Sequence, residues 1–265
     1  MLANEIRKII KRKQFWLVFA ILFFAVIADF LVTCKCYYGT SLAYVRSAYR
    51  CTIINNDIGL ITSQCFSTLL PILACLAASD IYYEEYTLGI TNFMYTRGQK
   101  KKNIRCKLGA VMLVVFALFI SMLLLSLFLS LTAFPKQGHY SMNTTYLTLT
   151  TPDPTRILSW FEAYHPYWNI LLFMLIRSLI ATLLAAISFS ISLFHKGNRY
   201  IILLSGFIYE VVYSNIVSIS ANEAVSTDIM GVNTYGSIWA IAAFMIIILS
   251  IILVLCRMGE SRDTL

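Results

Sequence analysis

Charged residues are scarce in this chain of 265 residues, where Asp, Glu, Lys and Arg make up 13% of the sequence. Such residues form about a quarter of a soluble domain, so an ordinary soluble domain is excluded. Hydrophobic residues account for 59%, and the mean hydropathy is +0.74. They gather in blocks of about 20 residues, the length that crosses the hydrocarbon core of a bilayer. The composition therefore predicts an all-α membrane protein.

Several chemical motifs are missing as well. The sequence contains no G-x-x-x-x-G-K-[ST] phosphate loop, and its seven cysteines lack the spacing of a zinc site. The net charge of +8 is not accompanied by aromatic residues interleaved with the basic runs, as a nucleic-acid surface would require. We therefore expect no enzymatic activity, no metal, no cofactor and no nucleic-acid partner for this chain. Cys51 has the option of a disulfide with Cys34 or Cys36, and free thiols are equally compatible with the sequence.

Six apolar blocks predict six transmembrane helices in one transmembrane domain that covers residues 1–265. The blocks lie near residues 15–33, 58–78, 108–134, 167–194, 200–218 and 236–256. In the preceding segment, 1–14, Leu2, Ile6 and Ile9 fall on one helical face and basic residues on the others. This pattern is typical of an amphipathic helix in the headgroup layer, and a simple basic flank of the first span is the alternative.

Basic residues are concentrated on one side of the predicted bundle. Fifteen lie in the N-terminal segment, the loops after the second and fourth spans, and the C-terminal tail, against five in the other loops. The fifteen are Arg7, Lys8, Lys11, Arg12, Lys13, Arg97, Lys100, Lys101, Lys102, Arg105, Lys107, Lys196, Arg199, Arg257 and Arg262. The positive-inside rule then predicts a multi-pass protein of the cell membrane with both termini in the cytoplasm. On the opposite side, the proline-rich segment 135–166 is expected to form short strands or a small cap.

Three ionisable residues, Asp29, Arg177 and Glu210, fall inside the predicted spans, where such side chains are costly and commonly functional. Counted from the cytoplasmic ends at about 1.5 Å per residue, they lie at depths of roughly 21, 26 and 15 Å. Asp29 and Arg177 are therefore matched in depth for pairing, although Arg177 could equally extend to the outer interface. Glu210 lies nearest the middle of its span and is the preferred pathway residue.

The segment 79–107 is the longest one predicted on the cytoplasmic side. Asp80, Glu84 and Glu85 are expected to project from the membrane surface on a helical extension of the second span. Gly89 permits a turn, after which a basic run beginning at Arg97 leads into the third span. A charged helix-turn-helix beneath the bilayer suits docking to a soluble partner. The alternative is that the basic run anchors the third span to anionic membrane lipid.

The order Glu85-x-x-x-Gly89, then Arg97, then Lys107 opening an apolar span resembles the type-2 permease subunits of ATP-binding-cassette (ABC) exporters. The similarity covers the whole chain as architecture and residues 83–107 as a motif, and Thr96 departs from the Pro or Ser that the family often has there. The resemblance implies that 79–107 is a coupling segment. Its contacts with a separate ATPase subunit would involve Asp80, Glu84, Glu85, Gly89 and Arg97.

The same resemblance implies the rest of the assembly. Two permease subunits, identical or different, would combine with two ATPase subunits, and ATP and Mg would be bound by the ATPases. Closure of the ATPases would switch the permease between inward and outward access. The small size of the chain is similar to that of exporters for bacteriocin-like peptides and other amphiphiles, which implies outward movement of an amphiphilic or peptide substrate.

Two other functions compete with this interpretation. A non-transporting membrane subunit for immunity or ligand sensing is compatible with the long outer segments. An intramembrane CAAX-type protease is suggested by Glu84 and Glu85 together with His165 and Asn169. However, position 89 is Gly where the protease motif has Arg, and the predicted topology places the histidine on the opposite membrane face from the glutamates.

Overall fold

The computed structural model describes residues 1–41, 44–56, 58–78, 80–89, 100–136, 158–194, 198–220 and 238–261. Every regular element in these ranges is helical, and no strand occurs among them. In chain order the helices are α1 (Leu2–Ile10), α2 (Lys13–Tyr37), a short 3-10 helix (Ala48–Cys51), α3 (Leu60–Ala78), α4 (Ile81–Thr87), α5 (Lys100–Ala133), α6 (Ser159–Tyr164), α7 (Pro166–Ser192), α8 (Arg199–Ser220) and α9 (Ile238–Ser261). Most of the predicted outer segment 135–166 falls outside the described residues.

Within the residues that the structure describes, five helical stretches are long and apolar enough to cross a membrane. They are Lys13–Tyr37, Ile61–Thr87, Lys101–Ala133, Pro166–Ser192 and Ile241–Ser261. They coincide with the first, second, third, fourth and sixth predicted spans, so the expected all-helical membrane architecture is confirmed. The fifth predicted span, 200–218, coincides with α8, a helix of 22 residues that is not one of the five found in the described part of the chain.

Two helices continue beyond their apolar blocks. Helix α5 begins at Lys100, eight residues before the predicted third span, and α4 prolongs the second span to Thr87. Lys, Arg and Glu are good helix formers, so these charged turns remain helical outside the apolar region. Gly89 follows α4 with a φ of 70°, and its N–H donates to the carbonyl of Tyr86 at 3.0 Å. This left-handed glycine ends the helix at the position where the sequence predicts a turn.

Helix α7 is at the centre of the bundle. It packs against α3, α5, α8 and α9, and small residues along it, including Ala181, Ala185 and Ser188, are fully buried. Small side chains let membrane helices approach closely, which favours van der Waals contact between them. Gly206 of α8 has the same role, because a Cβ atom there would lie 3.1 Å from the carbonyl oxygen of Leu184 in α7. The core is therefore built around this fourth apolar block.

The predicted amphipathic segment 1–14 is one helix only as far as Ile10. Helix α1 packs on α5 and buries Ile9 and Glu5 against the bundle. Arg12 has an extended backbone, with ψ of 140°, and separates α1 from α2. The break has a clear physical reason, because Arg12 turns toward carboxylates at the end of the second span.

Candidate functional site

Charged side chains from four regions of the chain meet at one end of the bundle. They come from α1 and its connection to α2, from the start of α4, from the first turns of α5 and from the start of α8. We call the group the basal charge cluster, and it consists of Lys8, Arg12, Asp80, Glu84, Glu85, Lys107 and Arg199. Each of these residues lies near an end of an apolar block. The apolar helices therefore place these charges together at the same end of the bundle.

Asp80 is the most enclosed member of the basal charge cluster. It is 0% exposed, and it precedes the first residue of α4. The guanidinium of Arg12 lies 2.8 Å from Oδ1 of Asp80, and that of Arg199 lies 2.5 Å from Oδ2. The second terminal nitrogen of Arg12 also reaches Glu84 at 2.5 Å. Asp80 thus ties the connection between α1 and α2 to the beginning of α8, and two cations balance its buried charge.

Glu85 occupies a second buried position in the same cluster. Oε2 of Glu85 pairs with the ammonium of Lys107, a side chain that is 2% exposed. Oε1 of Glu85 lies 3.4 Å from the ammonium of Lys8. Lys8 also bonds Glu5 one turn earlier in α1, at 3.0 Å. Burial lowers the pKa of Lys8, but the hydrogen bond to Glu5 and the negative charge of Glu85 outweigh it, so the pKa lies above its ordinary value. Glu85 therefore joins α4 to both α1 and α5.

The contact residues predicted for a partner ATPase are only partly accessible. Asp80 and Glu85 were expected to project from the surface, and this is wrong, since both are buried in ion pairs within the chain. Glu84 does project, because 51% of its side chain is exposed even though it touches Arg12. Gly89 is partly exposed in the turn that follows α4, and Arg97 lies outside the described residues.

A further ion pair at this end joins α5 to the C-terminal helix. The guanidinium of Arg105 meets the carboxylate of Glu260 with two parallel hydrogen bonds, Nε to Oε1 at 2.6 Å and an Nη to Oε2 at 2.9 Å. Together, this pair and the basal charge cluster show that α1, α4, the beginning of α5 and the end of α9 lie at the same end of the bundle. These are segments that the distribution of basic residues assigns to a single face.

The opposite end is closed by the inter-span segment, which we define as residues 44–59. Thr52 and Ile53 in this segment lie outside any helix, yet both are 0% exposed. The N–H of Ile53 donates to the hydroxyl of Ser126 at 3.1 Å, and Ser130 donates to the carbonyl of Cys51 at 2.9 Å. Ser126 lies about 10 Å before the end of α5 at 1.5 Å per residue, so the segment dips below the helix ends. Irregular backbone at such depth requires partners inside the protein, and these serines provide them.

An ion pair and an aromatic contact hold the inter-span segment against α6 and α7. Arg50 lies 3.5 Å from Glu162, and both side chains are about nine-tenths buried, at 9% and 10% exposure. The ring of Tyr49 meets that of Tyr167 edge to face, with centroids 5.9 Å apart. The connection between the first two spans is therefore part of the packed structure. None of the seven cysteines, all of which lie in the described residues, forms a disulfide, so the option of a bond from Cys51 to Cys34 or Cys36 is not taken.

Asp29 lies beneath this segment in a buried polar group. Its Oδ1 accepts hydrogen bonds from the side-chain nitrogen of Asn56 at 2.9 Å and from the hydroxyl of Thr62 at 2.5 Å. Asn56 also donates to the hydroxyl of Thr33 at 2.6 Å. Within the described residues, the carboxylate of Asp29 is bonded by these neutral groups and not by Arg177. The pairing expected from matched depth is therefore wrong.

The other two intramembrane candidates lie on α7 and α8, which pack against each other. Arg177 is 2% exposed near the middle of α7, so its side chain stays within the bundle and does not extend to the outer interface. Glu210 lies on α8 and is half-buried. The tyrosines on either side of it in the helix, Tyr209 and Tyr213, both contact the ring of Phe244 in α9. Within the described residues, the carboxylate of Asp29 is bonded to neither Arg177 nor Glu210.

Several residues that matter in these groups were counted in the sequence only as charges or not considered. Arg12 and Arg199 were predicted only as cytoplasmic charges, and Lys107 as the residue that opens the third span; their common signal is that each lies shortly before an apolar block. Asn56 and Thr62 were overlooked, although polar residues at the mouth of a span are a recognisable feature. Among the described residues, no group of three or more His, Cys, Asp or Glu side chains could hold a metal ion.

Comparison with known proteins gives no relative for this chain. No protein family, curated protein or solved structure matches it.

Proposed function

We propose that this chain is the transmembrane subunit of an ABC exporter, driven by a separate ATPase subunit that docks below α4. The observation that carries the proposal is the basal charge cluster, in which the helix following the second span is ion-paired to three other parts of the bundle. The ATPase would bind ATP and Mg, and this chain would do no covalent chemistry. Its substrate would be an amphiphilic molecule or peptide moved outward.

The cluster supports this function because its ion pairs would transmit a movement of α4 to several other helices. Asp80 and Glu85, at the start and middle of α4, are held by Arg12, Lys107 and Arg199. These bases stand at the starts of α2, α5 and α8, and buried ion pairs resist separation because a lone buried charge is costly. A push on α4 would therefore move these helices together with α3 as one unit. Such linkage suits an exporter whose access is switched by a cytoplasmic subunit.

The docking surface would be the exposed side of α4 together with the residues that directly follow it. Glu84 and Leu88 are exposed there, Leu88 at 68%, and the turn at Gly89 follows directly. An acidic side chain beside an exposed leucine offers both charge and apolar area to a protein partner. Arg97, which the resemblance also assigns to the contact, belongs to the same connection between the second and third spans.

We include α8 as a sixth span, with both termini on the cytoplasmic side and α1 at the headgroup layer. Its 22 residues would extend about 33 Å, enough for a hydrocarbon core of about 30 Å. Large apolar side chains along it are exposed, among them Ile201, Ile208 and Val212. Lipid or a second permease subunit would cover them. The fifteen basic residues that the sequence assigns to one side support the cytoplasmic orientation of the termini.

The two competing functions fare differently. A CAAX-type protease needs its glutamates and histidine around one catalytic centre. Glu85 pairs with Lys107 near the start of α5. His165 directly follows α6, in which Glu162 pairs with Arg50 of the inter-span segment. That segment is in turn hydrogen-bonded by Ser130, near the end of α5. Lys107 and Ser130 are 23 residues apart in α5, or about 35 Å, so one centre cannot include both groups. A non-transporting immunity or sensor subunit remains the alternative, because it would share the same architecture.

The test is reconstitution with an ATPase encoded beside this chain. Copurification of the two proteins and ATP-dependent uptake of an amphiphilic peptide by inverted vesicles are expected. Reversal of the exposed acid, Glu84→Arg, should reduce copurification, whereas Lys35→Glu, an exposed reversal at the other end of the bundle, should not. A complex that forms but moves no substrate would favour the immunity or sensor function. Absence of any ATPase partner would overturn the proposal.

A further inference from the structure

We propose that Asp29 is a proton-binding site of this protein, in which Oδ2 takes up and releases a proton while Oδ1 remains bonded to Asn56 and Thr62. The residue is 1% exposed in α2, about 24 Å from Lys13 along the helix axis. The inference concerns the bundle itself and does not depend on the ATPase partner.

The orientation of Asn56 determines which oxygen of Asp29 is available. The carbonyl oxygen of the Asn56 side chain accepts the backbone N–H groups of Ile58 at 3.2 Å and Gly59 at 3.0 Å. Its amide nitrogen must therefore face Asp29 and Thr33, and it donates one hydrogen to each of them. Because donors converge on Oδ1, a proton carried by the carboxyl group belongs on Oδ2.

The surroundings of Asp29 favour a neutral carboxyl group. Its hydrogen bonds come from an amide and a hydroxyl, and α3, which packs beside it, has no Asp, Glu, Lys or Arg. The charged residues of α5 lie in its first turns, at the basal end. In the inter-span segment, Arg50 is paired with Glu162, Arg46 makes no bond to the carboxylate, and Asp57 lies outside the described residues. Among the described residues, no basic side chain bonds this carboxylate, so an ionised Asp29 would lack a countercharge there, which is costly in a membrane.

A proton fits this site better than a metal cation. Hard cations bind several oxygen atoms whose lone pairs are free. Here the nitrogen of Asn56 lies 2.9 Å from Oδ1, and hydrogens on that nitrogen would oppose a cation at the same place. The hydroxyl of Thr33 already donates to the carbonyl of Asp29 at 2.8 Å and accepts from Asn56. Hydrogen-bond donors thus occupy the positions around Oδ1 that a cation would need. A proton on Oδ2 can be added without rearranging these hydrogen bonds, whereas a metal cation cannot.

Proton release would change the attachment of the inter-span segment. The hydroxyl of Thr62 lies 2.5 Å from Oδ1 of Asp29 and 2.8 Å from the carbonyl of Gly59, and its single hydrogen can serve one of them at a time. An ionised carboxylate is the stronger acceptor, so it would draw this hydrogen away from Gly59. The proton on Asp29 is therefore linked to how the start of the second span is held.

The test is infrared spectroscopy of the purified full-length protein in lipid nanodiscs, titrated from acidic to alkaline buffer. The expected result is a protonated-carboxyl stretch in acid that disappears as the pH rises. The band should be absent in Asp29→Asn, which mimics the protonated form, and retained in the control Glu84→Gln. In Thr62→Val the carboxylate loses a donor, so the titration midpoint should move by about one pH unit or more toward alkaline pH.

The opposite results are equally definite. Lack of any Asp29-dependent band at every pH would show a permanent carboxylate and overturn the proposal, as would a band that persists unchanged in alkali. Loss of the band on adding sodium at constant pH would show that a metal cation replaces the proton. Thermal unfolding gives a second measure, because Asp29→Asn should remove a destabilisation that the native protein shows as the pH rises.

Discussion

Glu85 of α4 and Lys107 of α5 form an ion pair in which the lysine is 2% exposed and the glutamate 9%. The ring of Tyr82 lies 5.9 Å from the ammonium of Lys107, so the cation is enclosed by a carboxylate and an aromatic face. This pair connects the second and third spans directly beside the connection that the sequence assigns to coupling. Both charges depend on each other, because neither has water to replace its partner.

Removing one member of this pair should destabilise the protein more than removing both. Glu85→Gln or Lys107→Met alone leaves a buried charge, and a loss of about 3–5 kcal/mol in the free energy of unfolding is expected. The double variant should recover a large part of that loss. Glu84→Gln, at an exposed position, should cost less than about 1 kcal/mol. Denaturant unfolding in detergent micelles measures all four, and equal losses for the single and double variants would refute the interdependence.

Arg12 should be irreplaceable by lysine in holding α1 to the bundle. Its two terminal nitrogens contact different carboxylates, Asp80 at 2.8 Å and Glu84 at 2.5 Å. A lysine ammonium is a point charge without this planar fork, so Arg12→Lys should satisfy only one of them. The expected result is faster protease cleavage of the N-terminal segment in Arg12→Lys than in the native protein. Lys13→Arg, a change of the same kind at an exposed neighbour, should leave the cleavage rate unchanged.

Two glycine positions offer a matched test of the polar group around Asp29. A Cβ atom on Gly59 would lie 2.6 Å from both Oδ1 of Asp29 and the amide nitrogen of Asn56, whereas on Gly109 its nearest neighbour is Leu2 at 3.6 Å. Gly59→Ala should therefore force these polar atoms apart and cost about 1–3 kcal/mol. Gly109→Ala lies in a helix and should be neutral or stabilising. Similar melting temperatures for the two variants would show that the contact around Gly59 is loose.

The apolar helices could be predicted from the sequence because a hydrophobic block is a local property of the chain. The partners of Asp80 could not, since Arg12 and Arg199 are far from it in sequence and meet it only through packing. Asp80 and Glu85 were predicted to be exposed because they are acidic and follow an apolar block. Basic residues beside the neighbouring spans were nevertheless available to form ion pairs with them. Composition shows that such charges exist but not which ones face each other.

The pairing expected for Asp29 and Arg177 failed for a different reason. Depth along a helix is one coordinate, and the direction in which a side chain points around the helix axis is another. Asp29 points toward Asn56 of the inter-span segment and Thr62 of α3, which both hydrogen-bond it. Arg177 belongs to the central helix α7, and its side chain is buried within the bundle. Hydropathy also treats a loop between spans as external, so it gave no indication that residues such as Ile53 would be buried.

Membrane orientation can be tested with single cysteines placed at the two ends of the bundle. In a variant whose seven native cysteines are replaced, Lys11→Cys and Lys101→Cys mark the exposed surface beside the basal charge cluster, and Lys35→Cys and Tyr164→Cys mark the other end. Because basic residues are retained in the cytoplasm, an impermeant maleimide should label only the second pair in intact cells. Permeabilised cells should show labelling of all four, which controls for reactivity. Labelling of Lys101→Cys from outside intact cells would reverse the orientation, and the surface of α4 would then be closed to a cytoplasmic ATPase.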